Sequence, residues 1–119
     1  MKDKEIFKTL LKQNKYIFAI KDKDSNLEIN TSYVFKDTQD CFTLYLVEDI
    51  NGNVYLTDAA WILDSANNLD IPVEYIINQS KKYNIDLDER QFVTKADILN
   101  ILEVVESFIN FAADIEIIE

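Results

Sequence analysis

Twenty-two aspartates and glutamates, one cysteine and no histidine are what this 119-residue chain brings to any chemistry. Without histidine there is no Ser-His-Asp or Cys-His catalysis and no histidine-bearing metal site. The single cysteine, Cys41, excludes a cysteine-cluster zinc site, and the single glycine, Gly52, excludes a glycine-rich phosphate loop. Carboxylate chemistry is what remains. Asp37, Asp40, Glu48 and Asp58 flank one stretch of chain, and a two-metal nuclease needs acids clustered in this way. Acids also decorate turns and helix starts for capping and solubility. Asp49-Ile50-Asn51-Gly52-Asn53 begins like a calcium loop, but Ala60 stands where the closing twelfth-position Glu belongs. The pattern calls for no catalytic residue, no resident metal and no cofactor.

These residues sit around Cys41–Asn68, which reads as strand, turn, strand, helix. Phe42, Leu44 and Leu46 alternate with Thr43, Tyr45 and Val47 at the period of a strand, and both faces are apolar enough to be covered. Asn51-Gly52-Asn53 tolerates the positive φ of a hairpin turn. Val54–Thr57 returns as the second strand, and Asp58 or Thr57 caps the helix that follows. Ala59, Ile62, Leu63 and Ala66 share its apolar face. Trp61 falls on the other face with Asp58 and Asp64. It either packs beneath another element or stands exposed as an interface anchor. Cys41 is expected to be a small buried hydrophobe.

The hairpin running into Leu56-Thr57-Asp58 resembles a bacterial and phage family known as domain of unknown function 1828. That family carries Leu-Thr-Asp-Asp-Gly at the start of a helix. The chain departs from it at Ala59 and Ala60, where the family has Asp and Gly. The order of elements is similar over roughly residues 25 to 112. The resemblance implies an α+β fold and lends no established chemistry.

The rest of the chain supplies the frame. Residues 3–13 read as a helix capped by Asp3, with Ile6, Phe7, Leu10 and Leu11 apolar and a stripe of Lys4, Lys8, Lys12 and Lys15. The stripe is either a solvated face or docks on an acidic surface, its own or that of a second copy in a homodimer. Tyr16–Ile20 is too short to classify, and Lys21–Asn26 reads as a polar loop. Leu27–Lys36 alternates as a strand, giving a three-stranded antiparallel meander with the two strands after it. Pro72 opens a helix with Val73, Ile76, Ile77 and Ser80 on one face and Tyr75 on the other. Ile85–Leu87 and Gln91–Thr94 are candidate short strands of a hairpin. Thr94-Lys95-Ala96-Asp97 has capping-box spacing, which predicts a long helix to about Ala113. Its apolar arc of Ile98, Ile101, Leu102, Val105, Phe108, Ile109 and Ala112, widened by Val104 and Phe111, is broad enough to touch the sheet and another helix or subunit. Its polar side carries Glu103, Glu106 and Asp114. The last residues, 114–119, either fray or extend as a strand. The expected architecture is one α+β domain, 1–119, with a small antiparallel sheet packed against helices.

The net charge of −10 is unevenly spread. Residues 1–24 hold seven Lys against four acids, and residues 25–119 hold five Lys or Arg against eighteen acids. Such a field repels nucleic acid and anionic membranes and favours a basic partner. No apolar run reaches membrane-span length and no signal-peptide pattern opens the chain, which places it in the cytoplasm. Short, acidic and histidine-poor, the chain parallels phage-encoded inhibitors of RNA-guided or restriction nucleases. The first expectation is a non-catalytic protein of phage or mobile-element origin, of anti-CRISPR or anti-restriction type, that binds a basic protein surface such as a nuclease. Glu103, Glu106, Asp114, Trp61, Tyr75, Asp58 and Asp64 are its candidate binding residues. The alternative is an uncharacterised bacterial domain of unknown intracellular role, carboxylate-metal chemistry being one option for it, with Asp58 the residue to test.

Overall fold

The computed structural model describes residues 1–119. The elements run α1 (Lys4–Leu11), β1 (Ile17–Lys23), β2 (Asn26–Val34), β3 (Cys41–Glu48), β4 (Val54–Thr57), α2 (Trp61–Asn68), α3 (Val73–Lys82), β5 (Asp86–Asp88), β6 (Gln91–Lys95) and α4 (Ile101–Asp114). The fold is α+β, and its six strands form one antiparallel sheet in the order β1-β2-β3-β4-β6-β5. The sheet is twice the expected meander. The β5–β6 hairpin joins it through β4, where Leu56 pairs with Thr94.

The extra strand at the other edge is β1. Lys21, Asp22 and Lys23 are not a loop but pair with Glu28, Leu27 and Asn26, and the reversal is confined to Asp24-Ser25. Charged side chains are tolerated there because an edge strand leaves them in water, where they also discourage edge-to-edge association. Lys4 and Lys8 of α1 reach Asp22 at 2.6 and 3.6 Å, so half of the lysine stripe docks on the chain's own acid. Asp3 itself does not cap α1 through its side chain.

One face of the sheet is buried and the other is not. Leu27, Ile29, Phe42, Leu44, Leu46, Leu56 and Phe92 have no exposed surface and pack against Ile101, Val105, Phe108 and Phe111 of α4. Phe92 meets Phe111 edge-on at 5.1 Å between ring centres. Cys41, Thr43, Tyr45 and Val47 point the opposite way and are only half-buried, so β3 is covered on one face alone.

α4 is shorter than the sequence pattern predicts, with 14 residues. Pairing with β4 claims Thr94 and Lys95 for β6, and the cap moves three residues on. Asp97 Oδ1 accepts the N–H groups of Leu99 and Asn100 at 2.8 Å each, while Asn100 Oδ1 accepts the Asp97 N–H at 2.8 Å. Ile98 falls in this turn and is exposed rather than on the helix face. The broad apolar arc is filled by the sheet together with α1 and α3. The residues after α4 do not fray. Val34 and Glu119 exchange two backbone hydrogen bonds at 3.0 Å, and Ile115, Ile117 and Ile118 are buried. No helix is long and apolar enough to cross a membrane.

Candidate functional site

The hairpin from β3 to β4 closes through Asp49. Its Oδ1 accepts the N–H groups of Asn51 and Asn53 at 2.9 Å each, and Gly52 takes φ 83°. The backbone N–H of Asn53, ahead of the other donors, holds the Asp49 carboxyl below the usual range. The likeness to a calcium loop is thus an Asx-type turn with its carboxylate directed inward.

Asp58 follows β4 and has no exposed surface. It accepts backbone N–H groups from Ile62 and Phe92 at 2.8 Å and from Ala60 at 3.2 Å. Burial pushes its carboxyl up to about 6, against the pull of those donors. It caps α2 as expected, although the helix begins only at Trp61 because Ala59 and Ala60 are left-handed, at φ 55° and 73°. Asp37, Asp40, Glu48 and Asp58 do not converge, and no three acidic or cysteine side chains are grouped so as to hold a metal ion.

The half-exposed face of β3 instead forms the floor of a cleft of about 310 Å³. α2 makes one wall with Trp61, Asp64, Ser65 and Asn68, and the β2–β3 connection makes the other with Asp37 and Asp40. Asp37 joins the two walls. Its Oδ1 accepts the Ser65 hydroxyl at 2.5 Å and its Oδ2 the Asn68 amide at 2.8 Å. Desolvation raises the Asp37 carboxyl, but the hydrogen bonds from Asn68, Ser65 and nearby backbone outweigh it and hold the group below the usual carboxylate range. Tyr45 shifts the other way. Burial, with the Glu28 carboxylate, pushes its hydroxyl up against the opposing Trp61 indole, so the phenol is neutral. Cys41 is half-buried at the cleft floor, and its thiol donates to the Thr31 carbonyl at 3.0 Å.

The lining thus holds three carboxylates, an indole and a phenol, and no Lys or Arg. Trp61 is 50% exposed, so it neither vanishes into the core nor stands free. Asp64 has a second contact at the rim, where Arg90 Nη2 donates to its Oδ1 at 2.8 Å. A concave, anionic, aromatic-walled site of this kind complements an organic cation.

Of the residues expected from the sequence, the cleft brings together Trp61 and Asp64. Asp58 lies buried just before the helix that carries them. Tyr75 is exposed on α3, and Glu103 and Glu106 are exposed on α4, which packs on the opposite, covered face of the sheet. Asp114, at the C-terminus of α4, accepts the Tyr83 hydroxyl, which offsets its unfavourable place at the negative end of the helix dipole. The sequence groups Asp37 and Asp40 with Glu48 and Asp58 as acids a metal site would need, and joins neither them nor Tyr45 to Trp61 and Asp64. Tyr45 alternates with core residues along its strand and Asp37 and Asp40 read as a turn, but the Asp37–Ser65 contact spans 28 positions and leaves no local signal. No protein-family model matches the chain, and neither a curated protein nor a solved structure matches it.

Proposed function

We propose that this chain is a non-catalytic binding protein that engages the basic surface of a nucleic-acid-binding protein, such as an RNA-guided or restriction nuclease. The observation that carries this reading is the cleft: Asp37, Asp40 and Asp64 around a half-open Trp61, with no cation in the lining. The net charge of −10 steers a basic partner toward the molecule before contact, and an exposed tryptophan in a cleft is the type of residue that dominates binding energy once contact is made. Trp61 is the only tryptophan of this chain, so the change in emission beyond the sum of the two separate proteins, lost in Trp61→Phe, reports on the cleft. Titration with a purified basic nuclease is expected to give a saturable change in that fluorescence, weaker at high salt, together with loss of nuclease activity. Unchanged fluorescence and full activity with basic nucleases at low salt would sink this reading.

A second reading, kinship with the domain of unknown function 1828 family, is favoured by one feature of the backbone. Ala59 and Ala60 are left-handed at the two positions where that family carries Asp and Gly, residue types that accept this conformation. The inward-turned Asp58 does not favour metal chemistry at the same place.

A further inference from the structure

We infer that the cavity walled by Trp61 and Tyr45 receives the guanidinium of a partner's arginine, whose docking displaces Arg90 of this chain from Asp64. This deepens the function proposed above and rests on it.

The cavity, at about 310 Å³, accommodates one long side chain rather than a secondary-structure element. Three features select a guanidinium over an ammonium. The first is Asp37. Ser65 donates to one oxygen and Asn68 to the other, which fixes the plane of the carboxylate at the cleft wall. A fixed carboxylate suits the planar fork of arginine, whereas an ammonium meets it only as a hydrated point charge. The second is the aromatic wall. The open half of the Trp61 indole offers a flat surface on which a guanidinium stacks. The neutral Tyr45 hydroxyl adds an acceptor at the floor without another charge.

The third feature is Arg90, the chain's only arginine, in the β5–β6 turn. Its guanidinium already binds a cleft carboxylate, at 2.8 Å from Asp64 Oδ1. The side chains of Arg90 and Asp64 are 67% and 53% exposed, so the pair is weak and exchanges easily for an incoming arginine. Arg90 itself lines a neighbouring depression with Ala59, Ala60 and Gln91 rather than the cavity. It therefore holds Asp64 from outside and leaves the cavity open.

The test is calorimetric titration of the full chain with three peptides of equal length, one arginine-rich, one lysine-rich and one with citrulline in place of arginine. Expected are about ten-fold tighter binding of the arginine peptide than the lysine peptide, and no measurable binding of the citrulline peptide. Arg90→Ala is expected to tighten the arginine peptide by up to about five-fold, the most that an exposed pair withholds. Asp40→Asn, at an exposed side chain with no hydrogen bond in the fold, is expected to weaken it without disturbing the structure. Equal affinity for the arginine and lysine peptides would overturn guanidinium selection and leave the acidic binding function standing. Unchanged or weaker binding by Arg90→Ala would overturn the displacement of Arg90. Failure of all three peptides to bind would overturn this inference, and failure of basic nucleases as well would remove the function beneath it.

Discussion

The Asp58 carboxylate accepts the backbone N–H of Phe92 at 2.8 Å, joining residues 34 positions apart. The same side chain holds the N–H groups of Ala60 and Ile62, so one buried acid fastens β4 to β6 and starts the helix that carries Trp61 and Asp64. The cleft wall stands where it does because of this contact.

That geometry makes stability depend on pH in a defined direction. Burial raises the Asp58 carboxyl from 3.8 to about 6 in the folded state. The native chain therefore holds this proton more tightly than the unfolded chain. The associated stability is fully present below about pH 4 and is lost as pH rises through about 6, a difference of about 3 kcal/mol. Asp22, Asp37 and Asp49 are shifted downward and exert their effect below this window. Urea midpoints measured at pH 5 and pH 8 are expected to fall with rising pH in the wild type. The fall is expected to be smaller in Asp58→Asn, which also loses about 1–3 kcal/mol because its amide cannot accept all three N–H groups. Equal pH dependence in the two proteins would show that Asp58 is not the titrating group.

The two left-handed alanines after Asp58 give a prediction of opposite sign. Ala60 at φ 73° bears the steric cost of a side chain in this conformation, about 1–2 kcal/mol, partly offset by the entropy glycine loses on folding. Ala60→Gly is expected to raise stability by about 0.5–1 kcal/mol. A lower denaturation midpoint for the variant would show that the loop is not strained there.

Residues 115–119 give the largest predicted loss. Ile117 has no exposed surface, and its carbonyl accepts the Lys36 N–H at 2.9 Å. Ile117→Ala is expected to destabilise the fold by about 2–5 kcal/mol, as for other large-to-small core changes. A change within about 0.5 kcal/mol, the range of surface substitutions, would mean that the tail is not part of the core.

Sequence period located the long elements that bury one face against the core, though not β1, whose Ile17 and Ile20 pack on it. Phe42-Leu44-Leu46 and the Val105-Phe108-Ile109-Ala112 face carry that signal because burial imposes it. The elements decided by pairing were less visible. Lys21-Asp22-Lys23 reads as a loop by composition and becomes strand because β2 offers it backbone partners. Gln91–Thr94 reads as a short strand, as found, but Thr94 and Lys95 also read as a helix cap, and pairing with β4 carries the strand on through Lys95. The cleft was half visible for the same reason. Trp61 and Asp64 drew attention through their helical phase, whereas Asp37 and Asp40 joined them only when the sheet brought the β2–β3 connection beside α2.

The acids of α4 separate general charge from the cleft as the source of binding. Glu103 and Glu106 are exposed on the covered side of the sheet and do not line the cleft. Changing both to Lys raises the net charge from −10 to −6 while leaving Asp37, Asp40 and Asp64 in place. At moderate salt, long-range fields are screened within about 8–10 Å. The double variant is therefore expected to bind an arginine-rich peptide within about two-fold of wild type, with any loss concentrated in the association rate. Asp37→Asn, which changes the net charge by only one, is expected to weaken binding by about ten-fold or more through the dissociation rate. Stopped-flow measurement of both rates through Trp61 fluorescence distinguishes the two effects. If the α4 double variant loses binding and Asp37→Asn retains it, the partner docks on the helix face rather than in the cleft.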